Sequence, residues 1–467
     1  MEKENSDKKH IKYLSSFKPN EIYWGIGIEN ETYLEVQNQK PVNENFFKNQ
    51  ARERYSVDYY KTYRAKCFSR SIDSMLKLNK PYDVPLLINS HELLKNDLSG
   101  QPITNYNKAS TPNTKFSGKT TFEYMCEKDQ YFKEEYEKSF CFDGDTIEFM
   151  TQNYYKTNIS SVIDELLYYK KIFLKNINNL SLPVCKNERL IYPEKNHGFA
   201  RFTTNYNNLA IFNNSTYHFN FTLPTQLDEN CEIVNRKEFD KRHSKAIRII
   251  QLLEPFFIAK YGSGDILSFN SEHHRRYPKG SQRVAASRYI GAGTYDSVLM
   301  KTGKLLQGDR KTMEPSWYTK LYNQINYEKG DKMGYDINFN KFKNHGIELR
   351  FFDWFPEVHL EKVLKFIVHL LDHSEILKIV DNPIYDTDYN NIMYKAILQG
   401  KEATLHIDEV VYIRKALKMH MRIKHRNIIS IYDDIEEHLD KLYGYNGPCS
   451  KYMLEKPITC CKLFSKY

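Results

Sequence analysis

The chain has 467 residues, and its 68 Lys and Arg against 59 Asp and Glu give a formal net charge of +9; the length allows a large core, and the scattered basic residues leave no polybasic tract for nucleic acid or a membrane surface. Eight cysteines without repeated CxxC spacing argue against a disulfide or zinc scaffold, and the longest apolar runs, around 247–259 and 363–371, are broken by Glu254, Pro255, Lys365 and His369, too short to span a bilayer. The opening MEKENSDKKHIKYLSS has no apolar signal-peptide core, so the expectation is a cytoplasmic protein with reduced thiols that binds small anionic molecules, with no membrane and no nucleic acid as partner.

Residues 1–18 are polar and expected to be loose. The stretch GIGIENETYLEV at 25–36 then alternates: Trp24, Ile26, Ile28, Leu34 and Val36 share one strand face, and Gly25, Gly27, Glu29, Glu31 and Tyr33 the other. Two carboxylates about 7 Å apart on a strand repel by roughly 2–3 kcal/mol at an effective dielectric near 20. Water or a divalent cation relieves that repulsion. Residues 37–140 lack a period-2 pattern and read as an inserted subregion with helical candidates near 44–79 and 122–138.

A second strand is expected at 142–151 (FDGDTIEFMT), with Ile147 and Phe149 on one face and Thr146, Glu148 and Met150 on the other, followed by a helix from Asn158 or Ser160 to about 178. Residues 199–223 give two alternating segments, and 240–261 a long apolar helix closed by Gly262. The second segment, STYHFNFTLP at 215–224, alternates cleanly: Tyr217, Phe219, Phe221 and Leu223 against Thr216, His218, Asn220 and Thr222. The interval 263–340 reads as loops. A strand at 346–352 (GIELRFF) puts Glu348 and Arg350 opposite Ile347, Leu349 and Phe351, and helices near 357–375, 388–399, 407–421 and 427–443 follow.

Four strands thus share one peculiarity, an apolar face backed by a functional one, and the functional face gathers Glu29, Glu31, Glu148, His218, Asn220, Glu348 and Arg350. Carboxylates with one imidazole suit Mg²⁺ or Mn²⁺ better than Zn²⁺, because oxygen dominates the donor set. A planar guanidinium among them grips phosphate oxygens. Together these describe a phosphoryl-transfer site.

The ordered blocks resemble the glutamate–cysteine ligases of the glutamine-synthetase-like carboxylate–amine ligase superfamily. GIE29NE31T resembles that family's opening strand, E148FMT151 its E-F-x-T strand, H218FN220FTLP its H-Y-N-F-S-x-P segment, and IE348LR350FFD its I-E-x-R-x-x-D strand; Ser281-Gln-Arg283 through Tyr289 is similar to its S-x-R segment. The resemblance implies an α+β fold: a curved antiparallel sheet backed by helices in a catalytic unit at 19–356, which includes the 37–140 insertion, and a C-terminal helical region at 357–467. It implies Mg²⁺ (or Mn²⁺) as cofactor and ATP as co-substrate. Position by position, Glu29 and Glu148 match ligands of one metal cluster, and Glu31, His218 and Glu348 match ligands of the ion touching the transferring phosphate. Arg350 is expected to steady the γ-phosphate, with Arg283 beside it in catalysis, and Arg201, Asn220, Tyr289 and Thr151 to meet substrates. A neutral His218 as ligand makes activity fall at acid pH.

The implied chemistry activates a carboxylate as an acyl phosphate at the expense of ATP and lets an amine displace the phosphate. Glutamate and cysteine as substrates give γ-glutamylcysteine, the start of glutathione biosynthesis. Three departures bear on the acceptor: the long 37–140 interval, Cys141 where the family has an acidic ligand, with Asp143 or Asp145 as substitutes, and Ala200 where it has a tyrosine. The rivals are an amidoligase of the same fold acting on another amine or a protein side chain, and a non-catalytic nucleic-acid-binding protein.

Overall fold

Period-2 alternation in these segments is realised as paired strands. A computed structural model describes residues 20–37, 86–94, 96–99, 118–143, 146–180, 182, 188–201, 209–213, 215–264, 278–285, 294–298, 301–304, 336–341, 344–377, 381–419 and 427–455. Their strands are β1 (Ile22–Thr32), β2 (Leu34–Val36), β3 (Leu86–Ile88), β4 (Phe140–Asp143), β5 (Thr146–Met150), β6 (Leu190–Ile191), β7 (His197–Arg201), β8 (Leu209–Asn213), β9 (Thr216–Gln226), β10 (Thr294–Asp296), β11 (Lys301–Lys304), β12 (Ile337–Phe339) and β13 (Ile347–Asp353). The fold is α+β, with a six-stranded sheet in the order β12-β13-β9-β1-β5-β4, antiparallel throughout. A five-stranded sheet, β6-β2-β3-β7-β8, lies beyond the end of β1 in the chain and is antiparallel except at β3–β7.

Register decides which side chains meet. Directly opposed residues of an antiparallel pair point to the same face, and here Glu31 lies opposite Glu148, Glu29 opposite His218, Gly27 opposite Asn220, and Glu348 opposite Asn220. One extra residue in β13 between Leu349 and Phe352 bulges that strand beside His218. The other face of the same strands is core: Ile26, Ile28, Ile147, Phe149, Tyr217, Phe219, Phe221, Ile347 and Leu349 are fully buried.

Helices cover that apolar face. The Ile159–Asn179 helix begins at Asn158, whose side chain accepts from Ser161 N, and the Arg236–Tyr261 helix begins at Asn235, whose side chain accepts from Glu238 N. Phe257 of the second helix stands with its ring 5.2 Å from that of Phe352 on β13, 5.3 Å from Phe366 and 5.7 Å from Tyr432. Fully burying such a ring contributes about 2–3 kcal/mol. The C-terminal helices Leu360–Ile376 and Ile428–Tyr443 therefore share one continuous core with the sheet.

Several elements differ from the sequence reading. The single strand expected at 142–151 is instead two, β4 and β5, which pair antiparallel as a hairpin. The expected helix over 122–138 is two helices, Thr121–Lys128 and Gln130–Glu135, because Asp129 leaves the helical conformation and caps the second by accepting from Tyr131 N. The interval 263–340, read as loops, contains β10, β11 and β12, each of three or four residues and too short to show alternation. Within 37–140, β3 joins β2 to β7; the helical candidate at 44–79 and the tail 1–18 lie outside the described residues. Among the described residues no helix is long and apolar enough to cross a membrane.

Candidate active site

His218 is the centre of the polar face. Its side chain is 2% exposed, and both ring nitrogens are surrounded: Nδ1 lies 3.2 Å from Glu29 Oε2 and 3.7 Å from Glu348 Oε1, while Nε2 lies 3.5 Å from Glu31 Oε1. Guanidinium nitrogens stand just as close, Arg350 Nη1 3.5 Å from Nδ1 and Arg283 Nη2 3.4 Å from Nε2. Burial, with the charges of Arg350 and Arg283 beside it, pushes the imidazole well below its ordinary pKa. His218 is neutral, as a metal ligand must be, and it stays neutral into mildly acid solution. The expected acid loss is therefore displaced to lower pH than an ordinary histidine sets.

Glu348, 2% exposed on β13, accepts from Arg350 Nη1 at 2.6 Å and Asn338 Nδ2 at 2.8 Å, with Lys341 Nζ at 3.3 Å. Asn220 Nδ2 donates to Glu29 Oε1 at 3.2 Å. On the far side, Glu148 faces Glu31 across the β1–β5 pair, and the Cys141 thiol donates to its Oε2 at 3.2 Å. Burial, then the carboxylates of Glu29 and Glu31, raise Glu148 well above the usual carboxylate range. Burial raises Glu31 too, against the pull of Arg283. Burial and Glu148 raise the Cys141 thiol, so it remains protonated.

One ligand atom each from Glu29, His218 and Glu348 lie within 4.8 Å of one another. Donors about 2.1 Å from a single Mg²⁺ or Mn²⁺ lie about 3 to 4 Å apart, so small side-chain rotations bring this trio to bonding geometry. The donor set, two carboxylates and a neutral imidazole, fits those ions. Two further buried atoms point to an anion: Arg283 Nη1 and Arg350 Nε have no hydrogen-bond partner among the described residues. A buried donor left unpaired costs about 1–3 kcal/mol, a cost that phosphate or carboxylate oxygens would remove.

No family model matches the chain. The uncharacterized protein R704 of Acanthamoeba polyphaga mimivirus is 38% identical to it over 453 residues, which cover 95% of this chain and 79% of R704. The chain belongs to the family of R704. The match spans nearly the whole of this chain.

In this R704-family structure the expected ligands regroup. Glu31, His218 and Glu348 were expected on one ion, yet Glu31 faces Nε2 of the ring while Glu348 shares the Nδ1 side with Glu29. The register explains it: Glu29, not Glu31, is the direct partner of His218. Thr151, expected at substrate, instead accepts from Ile28 N at 3.0 Å and continues the β1 pairing. Arg201 ends β7 in the second sheet, and Tyr289 and Asp145 lie outside the described residues. Asp143 is exposed at the end of β4, two residues from Cys141 on the same face.

Three participants escaped the sequence reading. Asn338 sits opposite Glu348 on the three-residue strand β12, and Lys341 follows it in the turn. Neither has a local pattern that marks it. Tyr154 crosses the polar face, its hydroxyl 2.7 Å from Thr222 Oγ1 and its ring stacked 4.2 Å from His345. A Cβ at Gly25 would lie 2.1 Å from that ring, so Gly25 is glycine to seat Tyr154; glycines on the carboxylate-bearing face were the available signal.

Proposed function

We propose that the protein is an ATP- and Mg²⁺-dependent carboxylate–amine ligase with a glutamine-synthetase-like fold, joining the γ-carboxylate of L-glutamate to the amine of L-cysteine. The observation that carries this reading is one antiparallel sheet face on which Glu29, His218 and Glu348 converge beside Arg283 and Arg350, each with a buried nitrogen that has no partner among the described residues. Bound divalent metal supplies charge neutralisation for phosphate oxygens and a template for in-line transfer.

The protein's own groups divide the remaining work. Neutral His218 presents a lone pair without a proton to displace, and the carboxylates of Glu29 and Glu348 converge with it. Arg350 is fixed by Glu348, and its buried Nε, without a partner among the described residues, is a donor available to an anion; Arg283 Nη1 is a second, on the other side of the ring. Both are preorganised for the charge of a transferring phosphoryl group, so little reorganisation accompanies the step. The substrate carboxylate oxygen takes the γ-phosphoryl group, ADP leaves, and the amine nitrogen then displaces phosphate to form the amide. No side-chain nucleophile is needed.

The test is phosphate release from ATP with Mg²⁺ across a panel of carboxylate and amine pairs. Release that requires glutamate and cysteine together is expected. Release driven by glutamate with another amine keeps the ligase and moves the acceptor, the direction in which Cys141 and Ala200 depart from the ligase motifs. Release with no pair overturns the proposal.

A further inference from the structure

We propose that a cavity on the helix side of the sheet is a second binding site, for an amphipathic organic anion: an apolar body carrying a phosphate, sulfonate or carboxylate group. The inference stands without the ligase reading, because the cavity lies across the sheet from the carboxylate face. It measures about 850 Å³, within the range of small-molecule sites.

One wall is a stripe of the Ile159–Asn179 helix, with Lys170, Lys171, Leu174 and Lys175 at three- and four-residue spacing; the other is the segment 188–192. Two contacts brace the walls. Asn178 accepts from Leu190 N at 2.7 Å and donates to Leu190 O at 3.0 Å, and the Tyr192 hydroxyl donates to Lys170 O at 2.8 Å. The site is therefore formed before any ligand arrives, which lowers the entropic cost of binding.

The lining joins apolar surface to excess positive charge. Ile177, Leu182 and Leu190 are buried in it, while Lys170, Lys171, Lys175 and Arg189 outnumber the carboxylates Glu188 and Glu357. Lys170 is already committed: it is 3% exposed, donates to Asn30 Oδ1 at 2.8 Å and pairs with Glu357. Among the described residues Lys171, Lys175 and Arg189 form no ion pair, and all three are exposed at the rim. A cationic rim above an apolar floor matches an anion with an apolar body.

The probe is 8-anilinonaphthalene-1-sulfonate, titrated into the full chain at physiological salt, with decanoate and adenosine monophosphate as competitors that distinguish an aliphatic from an aromatic body. Saturable one-site fluorescence displaced by either competitor is expected. The double variant Lys175→Glu/Arg189→Glu, in exposed positions, should weaken dye binding by at least about tenfold, the worth of a charge-assisted hydrogen bond, with an unchanged unfolding temperature. Leu174→Trp, which fills the cavity, should weaken it too, and Glu348→Gln on the opposite face should leave it unchanged. Dye binding that neither competitor displaces, or that the double variant retains at full affinity, overturns the proposal.

Discussion

Glu348→Gln is expected to lower nucleotide-dependent turnover by on the order of 10²–10³-fold while leaving the fold intact. The substitution keeps shape and one acceptor oxygen, so Arg350 retains its partner, and the Asn338 amide, which now donates to Oε2 at 2.8 Å, rotates to accept from the new amide. What disappears is the negative charge. Arg350, Lys341 and a neutral His218 then face a site with one carboxylate fewer, and a divalent cation loses one of its three converging ligands. Turnover and Mn²⁺ affinity should fall together, with the far-ultraviolet circular dichroism unchanged. Full activity in the Glu348→Gln variant would remove β13 from the chemistry.

Glu148→Gln has the opposite sign on stability. Burial and the neighbouring Glu29 and Glu31 raise Glu148 well above its unfolded value of 4.5. A group raised in the folded state contributes stability that is fully present below the unfolded pKa and lost as pH rises through the folded one. In metal-free buffer above neutrality the wild-type site therefore carries a penalty. Glutamine removes it, keeps an acceptor for the Cys141 thiol, and should stabilise the metal-free protein, read as a rise in unfolding temperature above neutral pH. Saturating Mn²⁺ should raise both proteins alike, because the converging ligands Glu29, His218 and Glu348 do not include Glu148. A variant less stable under both conditions would show that Glu148 serves the fold.

The sheet was legible because its strands obey one rule. Burial of Ile26, Ile28, Phe219 and Phe221 on one side forces Glu29, Glu31, His218 and Asn220 to the other, and that alternation is visible in the chain itself. Pairing was not legible. Whether Glu29 or Glu31 lies against His218 depends on register between segments almost two hundred residues apart, and nothing local encodes it. The short strand β12 escaped for a related reason, since three residues carry no period, and with it went Asn338. Asp129 ended a helix that hydrophobic spacing alone would have continued, since its carboxylate caps the next one.

A divalent cation held by side chains from β1, β9 and β13 is the centre of the proposed chemistry. Anomalous scattering from a crystal soaked in MnCl₂ measures that most directly. The expected result is a manganese peak bonded to Glu29, His218 and Glu348; a soaked crystal with no peak among those three residues would contradict the account.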